Sequence, residues 1–366
     1  MKLTAKVGDL VTALGKLRGI SPKSMIPIIG CVRIAVIDSS SAVFSATNLE
    51  QWASIRADIA ADETGVWCLP AQRLAALIDT WDKNATVTME DDESEKVKIT
   101  CGRSRVIFNA LHSSDFPETK RPVDAVAFSI CGADLTRIAH EIAAIVQEDI
   151  ARPYLSGVLL SSANGGLLAT GAGGTQRVTR LRCKTGGEPA PTALLSKECV
   201  IVAERLFRAS DNVNVCIDGR TVEFSVGEDQ IVSRLIDEPP FDFDRVIAPK
   251  IENPAVVNAG ELAEVARRCL AVADPSRAGR RDILFRMEIG PERIVVSDEF
   301  GSFSDEIECL SNPMPMTVSL LPDHVAAAAG LPEGAIEIHT TVESPSVRFC
   351  RPGADIESVT LAKLRV

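Results

Sequence analysis

Residues 170–178, TGAGGTQRV, hold three glycines in four positions after an apolar run, which is how a phosphate-cradling loop begins. A dinucleotide loop needs G-x-G-x-x-G at the mouth of a helix, and a P-loop needs a second glycine followed by Lys and Ser/Thr. Counting from Gly171, the third glycine position holds Gln176, no lysine follows, and Arg177 to Cys183 reads as a strand. No helix N-terminus is offered to an anion. The residues support a glycine-rich turn between two strands. The four histidines, His112, His140, His324 and His339, are scattered with no H-E-x-x-H or nucleophile-elbow context, and read as surface or satisfied core groups. Glu90-Asp91-Asp92-Glu93 reads as a solvated hairpin turn. Ten cysteines stand singly without a C-x-x-C pair; they read as reduced core residues, not as a zinc site or a disulfide framework. No reaction, metal or cofactor is implied, and the chain reads as a binding protein.

A net charge of −11 argues against a surface coated in basic residues for nucleic acid. It leaves room for a local basic lining, because the field a ligand feels depends on where charges sit. The 366 residues allow two or three domains, since single cores rarely grow past about 250 residues. No run approaches the roughly 18 apolar residues of a membrane span, and Met1 to Lys6 lack a signal-peptide core. The expected location is the cytoplasm, with no membrane partner.

The elements that would carry any site repeat. Six segments show helical apolar spacing: Leu10, Leu14 and Leu17; Leu74, Leu77, Ile78 and Trp81; Leu135, Ile138, Ala139 and Ile142; Cys199, Val202, Ala203 and Leu206; Leu262, Val265, Ala266 and Cys269; and a weaker Val325, Ala328 and Ala329. Their first anchors stand 61 to 64 residues apart. Between them the period switches to two, as in Ala85–Met89, Asn212–Cys216 and Ala335–His339. The unit is one helix followed by antiparallel strands. Proline-rich breaks at residues 116–122 and 238–242 group the six units in pairs, giving an α+β fold of three similar domains, 1–122, 123–250 and 251–366, each with two helices packed on antiparallel sheets. So many sheet edges predict sheets continuing across domain boundaries, and an array that caps its edges or closes on itself by dimerisation.

On these residues the chain resembles the bacterial beta sliding clamps, the processivity subunits of DNA polymerase III. The matches are Ile26-Pro27-Ile28-Ile29-Gly30, Thr47-Asn48-Leu49-Glu50, Leu69-Pro70-Ala71-Gln72-Arg73, Gly102-Arg103-Ser104-Arg105, Asp115-Phe116-Pro117 and Arg152-Pro153-Tyr154-Leu155-Ser156-Gly157. Each is weak alone, but in this order over the same repeat they are specific together. The resemblance implies the DNA-clamp fold, closed as a ring-shaped head-to-tail homodimer. It also implies sequence-independent encirclement of double-stranded DNA and tethering of polymerase III, clamp-loader subunits, other polymerases and repair proteins through short motifs. DNA-facing candidates follow the odd-numbered helices: Arg18 and Lys23, Arg152, and Arg277, Arg280 and Arg281. Glu148 and Asp149 stand where the family tends to be neutral or basic. A repeat scaffold or secondary clamp that binds peptides without a main replicative role is the alternative.

The same resemblance puts the glycine turn in a partner-peptide pocket. The family carries a Thr-Asp-Gly-His-Arg-Leu-like turn there, and this chain reads Gly173, Gly174, Thr175, Gln176, Arg177, Val178, lacking the Asp and His. Other pocket positions are Leu155, Phe241, Val246, Ser346, Thr360, Ala362, Leu364 and Arg365. The methionines common at the family's C-terminus are absent, which implies altered partner preference. For the dimer, Arg73, Arg103 and Arg105 beside Leu77, Val106 and Phe108 are expected to meet Asp298, Glu299, Asp305 and Glu306 near Val272, an apolar centre flanked by opposite charges.

Overall fold

The computed structural model describes residues 1–366 except 21–24, 92–95, 164, 175, 273–283, 300, 331–333, 352–355 and 364–366. Six helices form where the apolar spacing places them: α1 (Val7–Lys16), α2 (Ala71–Ile78), α3 (Gly132–Arg137), α4 (Lys197–Leu206), α5 (Ala259–Val272) and α6 (Pro322–Ala329). A π-helical stretch, Ile138–Ala143, continues α3. Every sequence-derived helix anchor is buried except Leu77 and Trp81, which are half-exposed. The strands follow their period-two pattern too. In Thr86–Asp91 the side chains of Val87 and Met89 are fully buried, while Thr86 faces out.

Helices α1, α3 and α5 begin in the same way. Val7 N donates to Ala85 O at 2.9 Å and Gly8 N to Lys83 O at 2.9 Å. Gly132 N donates to Asp211 O at 2.8 Å, and Ala259 N to Gly334 O at 2.9 Å. In each case the free N–H groups of one helix are satisfied by the loop that follows the next. This does the work of a side-chain cap, which α1 and α3 lack. Only α4 among these pairs uses a hydroxyl cap, Cys199 N donating to Ser196 Oγ at 3.2 Å.

The described chain forms two compact units. The first comprises residues 1–139 and 184–237. It holds a five-stranded antiparallel sheet ordered Ala60–Ala61, Lys2–Lys6, Thr86–Asp91, Lys96–Cys101 and Ser104–Asn109, so the last is an edge. A second path runs Val126–Cys131, Asn212–Ile217, Thr221–Val226, Asp229–Arg234, Gln51–Asp58, Ser41–Thr47, Cys31–Asp38 and Gly65–Pro70. Val232 pairs with Trp52 and Gln230 with Ser54, so this sheet continues across the proline-rich break at 116–122, as the repeat predicts. Ion pairs flank the join, Lys16 to Asp229 at 2.9 Å and Arg56 to Glu228 at 2.6 Å.

In this unit Asp38 closes the hairpin between Cys31–Asp38 and Ser41–Thr47. Its carboxylate accepts from Ser40 N at 2.7 Å, Ser40 Oγ at 2.8 Å and Ser41 Oγ at 2.9 Å. Those bonds, the Ser40 amide foremost, pull its pKa down to about 2. A folded value below the unfolded one of about 3.9 means stability that is complete above that value and lost as pH falls through the folded value. The melting-temperature gap between the native protein and Asp38→Asn, present near neutrality, should therefore close between roughly pH 4 and 2. Calorimetric scans that show a constant gap over that window would remove the carboxylate from the hairpin's stability.

The second unit comprises residues 140–183 and 238–366. A four-stranded sheet is ordered Ser304–Glu308, Arg293–Ser297, Phe285–Ile289 and Met316–Leu320, again with an edge strand first. Another runs Ala255–Asn258, Ala335–His339, Ser346–Cys350 and Ile356–Ala362, and then the strand that begins at Arg177. The core joins Leu262, Val265, Ala266 and Cys269 of α5 with Val325, Ala328 and Ala329 of α6 and with Phe285, Met287, Ile338 and Phe349 of the sheets.

None of the ten cysteines is in a disulfide, and seven are buried. His339 is a satisfied core group: its Nδ1 accepts from Ile251 N at 3.1 Å, and Nε2 faces Glu337 Oε2 at 3.1 Å. Burial is the main reason its pKa is lowered. Glu90 and Asp91 are strand residues and not turn residues, paired with Lys98 and with the Met1 amine respectively; Asp92 and Glu93 lie outside the described residues. Among the described residues no helix is long and apolar enough to cross a membrane, and no cluster of metal-ligating side chains is found.

Candidate functional site

The glycine run is a turn between the strands Gly166–Gly173 and Arg177–Gly187. Its glycines have separate reasons. Gly174 adopts φ +61°, the left-handed region that a Cβ disfavours. Gly171 has ordinary φ, but a Cβ there would come within 2.4 Å of Ile142 Cγ2. The turn therefore leads a strand closely past the π-helical stretch and exposes Gln176.

Beside it, within the second unit, lies a cleft of about 330 Å³. It is lined by Leu155, Gln176, Arg177, Val178, Phe241, Val246, Ser346, Thr360 and Ala362, all expected from the sequence, with Arg152, Tyr154, Ala172, Gly174, Phe243 and Pro345. Gly173 is not part of the lining, although its neighbours on both sides are. Thr175, Leu364 and Arg365 lie outside the described residues.

Three local devices build the walls. Asp149 folds the first: its Oδ1 accepts from Ala151 N at 2.9 Å and Arg152 N at 3.2 Å, and its Oδ2 from Arg152 Nε at 2.8 Å. The turn Pro153–Leu155 follows, with proline at its start. The Arg152 side chain, first among these bonds, holds the Asp149 carboxyl below its usual range. Asp242 folds the second wall by accepting from Asp244 N at 3.2 Å and Arg245 Nε at 3.1 Å, and Arg180 Nη1 binds Asp244 Oδ1 at 2.5 Å. The third is sheet: Val178 pairs with Thr360, Ala362 N donates to Gln176 O at 3.0 Å, and Ser346 Oγ donates to Val246 O at 2.8 Å.

Across the first two walls Tyr154 stacks on Phe241, centroids 5.7 Å apart and 15° between planes, and Phe241 meets Phe243 edge-on at 5.0 Å and 77°. The chain has a single tyrosine, and this is where it sits. Nothing in the local sequence marks Tyr154 or Phe243 as wall residues. The available signal was the alternation Phe241-x-Phe243, hidden in a segment that reads as a proline-rich break.

The DNA-facing candidates are dispersed. Arg18 is exposed and pairs with Asp79 at 3.2 Å, and its carbonyl accepts from Arg205 Nη1 of α4. Arg152 lines the cleft with its charge taken by Asp149 at 2.6 Å. Lys23, Arg277, Arg280 and Arg281 lie outside the described residues.

The interface candidates gather on two sheet edges, one in each unit. Arg105, Val106 and Phe108 belong to the edge strand Ser104–Asn109, with Arg103 in the turn before it and Arg73 and Leu77 on α2. Phe108 departs from expectation: it is 4% exposed, with the Arg73 guanidinium 5.3 Å from its ring centroid. The apolar side chain this edge presents is Ile107, 56% exposed, because alternate strand residues face opposite ways. On the other edge, Ser304–Glu308, Asp305 is bound by Arg268 at 2.8 Å and Glu306 by Arg293 at 2.8 Å. Asp298 holds its own turn, accepting from Phe303 N at 2.9 Å. Glu299 is exposed, and so is Val272 at the end of α5.

Residues 1–120 match the family described as DNA polymerase III beta subunit, N-terminal domain. The chain is 24% identical over 225 residues to the beta sliding clamp of Pseudomonas aeruginosa, an alignment that spans 60% of each protein. To that of Escherichia coli it is 25% identical over 251 residues, 68% of each. Over 100% of both chains it follows the solved DNA polymerase III subunit beta of Pseudomonas aeruginosa, with a TM-score of 0.87 at 18% identity. A solved sliding clamp from Bacillus subtilis gives 0.88 at 19%, covering 100% of this chain and 99% of that one.

Proposed function

We propose that this chain, whose residues 1–120 match the N-terminal domain of DNA polymerase III beta subunit and whose whole length follows that fold, is a bacterial beta sliding clamp, a processivity factor that closes around duplex DNA as a head-to-tail dimer. The observation that carries the reading is the whole-length fold, together with a partner-sized apolar cleft where the resemblance put one. A closed ring leaves DNA only by opening. A polymerase tethered to it stays at the template through high effective concentration, without a tight DNA contact of its own. Polymerase III, clamp-loader subunits, other polymerases and repair proteins are the proposed occupants of the cleft. No step in this function is catalytic.

The threefold recurrence of the helix-start hydrogen bonds supports the division into three domains at 1–122, 123–250 and 251–366. In the dimer the basic edge Ser104–Asn109 of one protomer would meet the acidic edge Ser304–Glu308 of its partner, capping both. Since Phe108 is covered, Ile107 takes its place in the apolar centre of this proposal. Phosphate contacts from Arg18 and the basic residues after the odd-numbered helices would be few and diffuse, which suits sliding.

Loading tests the reading directly. Protein placed on nicked circular DNA by a clamp loader should be retained through gel filtration, and lost once the circle is cut. Light scattering should give twice the chain mass. Retention indifferent to linearisation would instead make the chain a peptide-binding repeat scaffold.

A further inference from the structure

We propose that His339 is a positioning residue of the cleft: its neutral ring fastens the stretch of chain that carries the second wall, and the fastening opens when the ring takes up a proton. This rests on the reading of the cleft as the partner site. Phe241, Phe243 and Val246 of that wall lead directly into residues 247–251, which belong to no helix or strand. Side chains of the neighbouring sheet hold this stretch by its backbone instead. Ser346 Oγ donates to Val246 O at 2.8 Å and Arg348 Nη1 to Ala248 O at 3.4 Å, while Ile251 N donates to His339 Nδ1 at 3.1 Å. All three side chains come from two adjacent strands, with His339 directly opposite Arg348.

Only one of these fastenings responds to pH. The hydroxyl and the guanidinium keep their hydrogens throughout the working range. Nδ1 of His339 must be bare to accept, so the hydrogen sits on Nε2 and is donated to Glu337 Oε2 at 3.1 Å. A second proton would set one N–H against another at Ile251, around a ring that is only 3% exposed. Desolvation is the main reason the pKa of the ring is lowered. Glu337 on the same strand opposes that shift, and Arg348 across the ladder and Lys250 on the fastened stretch add to it. Cys350, opposite Glu337, has its thiol pushed up by burial and stays neutral. The fastening is therefore complete at neutrality and opens only below the ordinary histidine value of about 6.5.

The test uses the full-length protein. At about pH 7.5, NMR of labelled histidine should find His339 as the Nε2–H tautomer, and the Ile251 amide should be protected from hydrogen exchange; at about pH 5.5 its protection factor should be about tenfold smaller. An N-acetylated, C-amidated peptide with Leu and Phe anchors and no titratable group should lose about tenfold in affinity over the same change. His339→Asn, whose side-chain carbonyl accepts at any pH, should bind it equally at both. An Nδ1–H tautomer, or an Ile251 amide equally protected at both values, would overturn the inference in the native protein, with no variant needed to fold. So would a native affinity that does not change with pH. A pH profile that His339→Asn leaves intact would overturn it as well, since the dependence would then belong to another group, such as His324 beside Arg177. If the peptide fails to bind at neutral pH, the cleft reading fails, and the tautomer and exchange still decide whether His339 fastens the stretch.

Discussion

Phe241→Ala is expected to weaken a Leu/Phe-anchored peptide about a hundredfold while leaving the protein's mass in solution unchanged. Phe241 is the shared ring of the aromatic wall, stacked on Tyr154 and edge-on to Phe243. Removing it deletes the apolar surface that a bound anchor would cover, worth roughly 1.5–3 kcal/mol for a large side chain, and takes away the ring against which Tyr154 and Phe243 are braced. A loss near 3 kcal/mol corresponds to about two orders of magnitude in affinity. The interface candidates Arg73, Arg105 and Asp305 lie on other elements, so dimerisation should not follow. Lys6→Ala is the control, because that side chain is exposed, takes no part in building the walls and lies outside the lining. Calorimetric titration that finds Phe241→Ala within threefold of the native protein would move the binding site elsewhere.

Gly132→Ala should be the most damaging single-methyl change. Its φ is ordinary, so the effect is purely steric: the added Cβ would lie 2.0 Å from the backbone oxygen of Arg208 and 3.0 Å from its carbonyl carbon. Backbone cannot swing aside as a side chain does, and the 208–211 loop is pinned by Gly132 N to Asp211 O at 2.8 Å and by Arg208 N to Asp211 Oδ2 at 2.7 Å. Overpacking of this kind costs about 3 kcal/mol, the upper part of the usual range. For a unit of this size that lowers the melting temperature by roughly 6–12 °C. Gly15→Ala is the informative opposite. Nothing lies within 4 Å of its added methyl inside α1, so the change should stabilise the protein by about 0.5–1 kcal/mol. Equal melting temperatures for Gly132→Ala and the native protein would show that the loop yields.

What the sequence made legible follows the range of the forces involved. Helix anchors such as Leu10, Leu135 and Leu262 could be placed because a 3.6-residue period is local. The edge strand Ser104–Asn109 is legible as alternating, but alternation defines two faces without saying which is inward, and only the structure shows that Phe108 is covered and Ile107 exposed. Gly171 looked like a turn residue when its requirement is Ile142, a neighbour only in space. The cleft draws on residues near 154, 177, 241, 346 and 360. No periodicity links such distant segments, so its members were reachable only through family resemblance. Tyr154 and Phe243 carry no local pattern that marks them as wall, because what makes them so is their meeting with Phe241 in space.

The lone tyrosine has a practical side. Because the fold spends its single phenol on the cleft wall, any observable particular to a tyrosine ring reports on that cleft alone. In protein labelled only at tyrosine, the ring gives one set of NMR signals, shifted by the ring current of Phe241. A ligand that enters the cleft disturbs that set, and one that binds elsewhere leaves it in place. Occupancy can thus be read in the unmodified chain, without attaching a probe to the surface being measured.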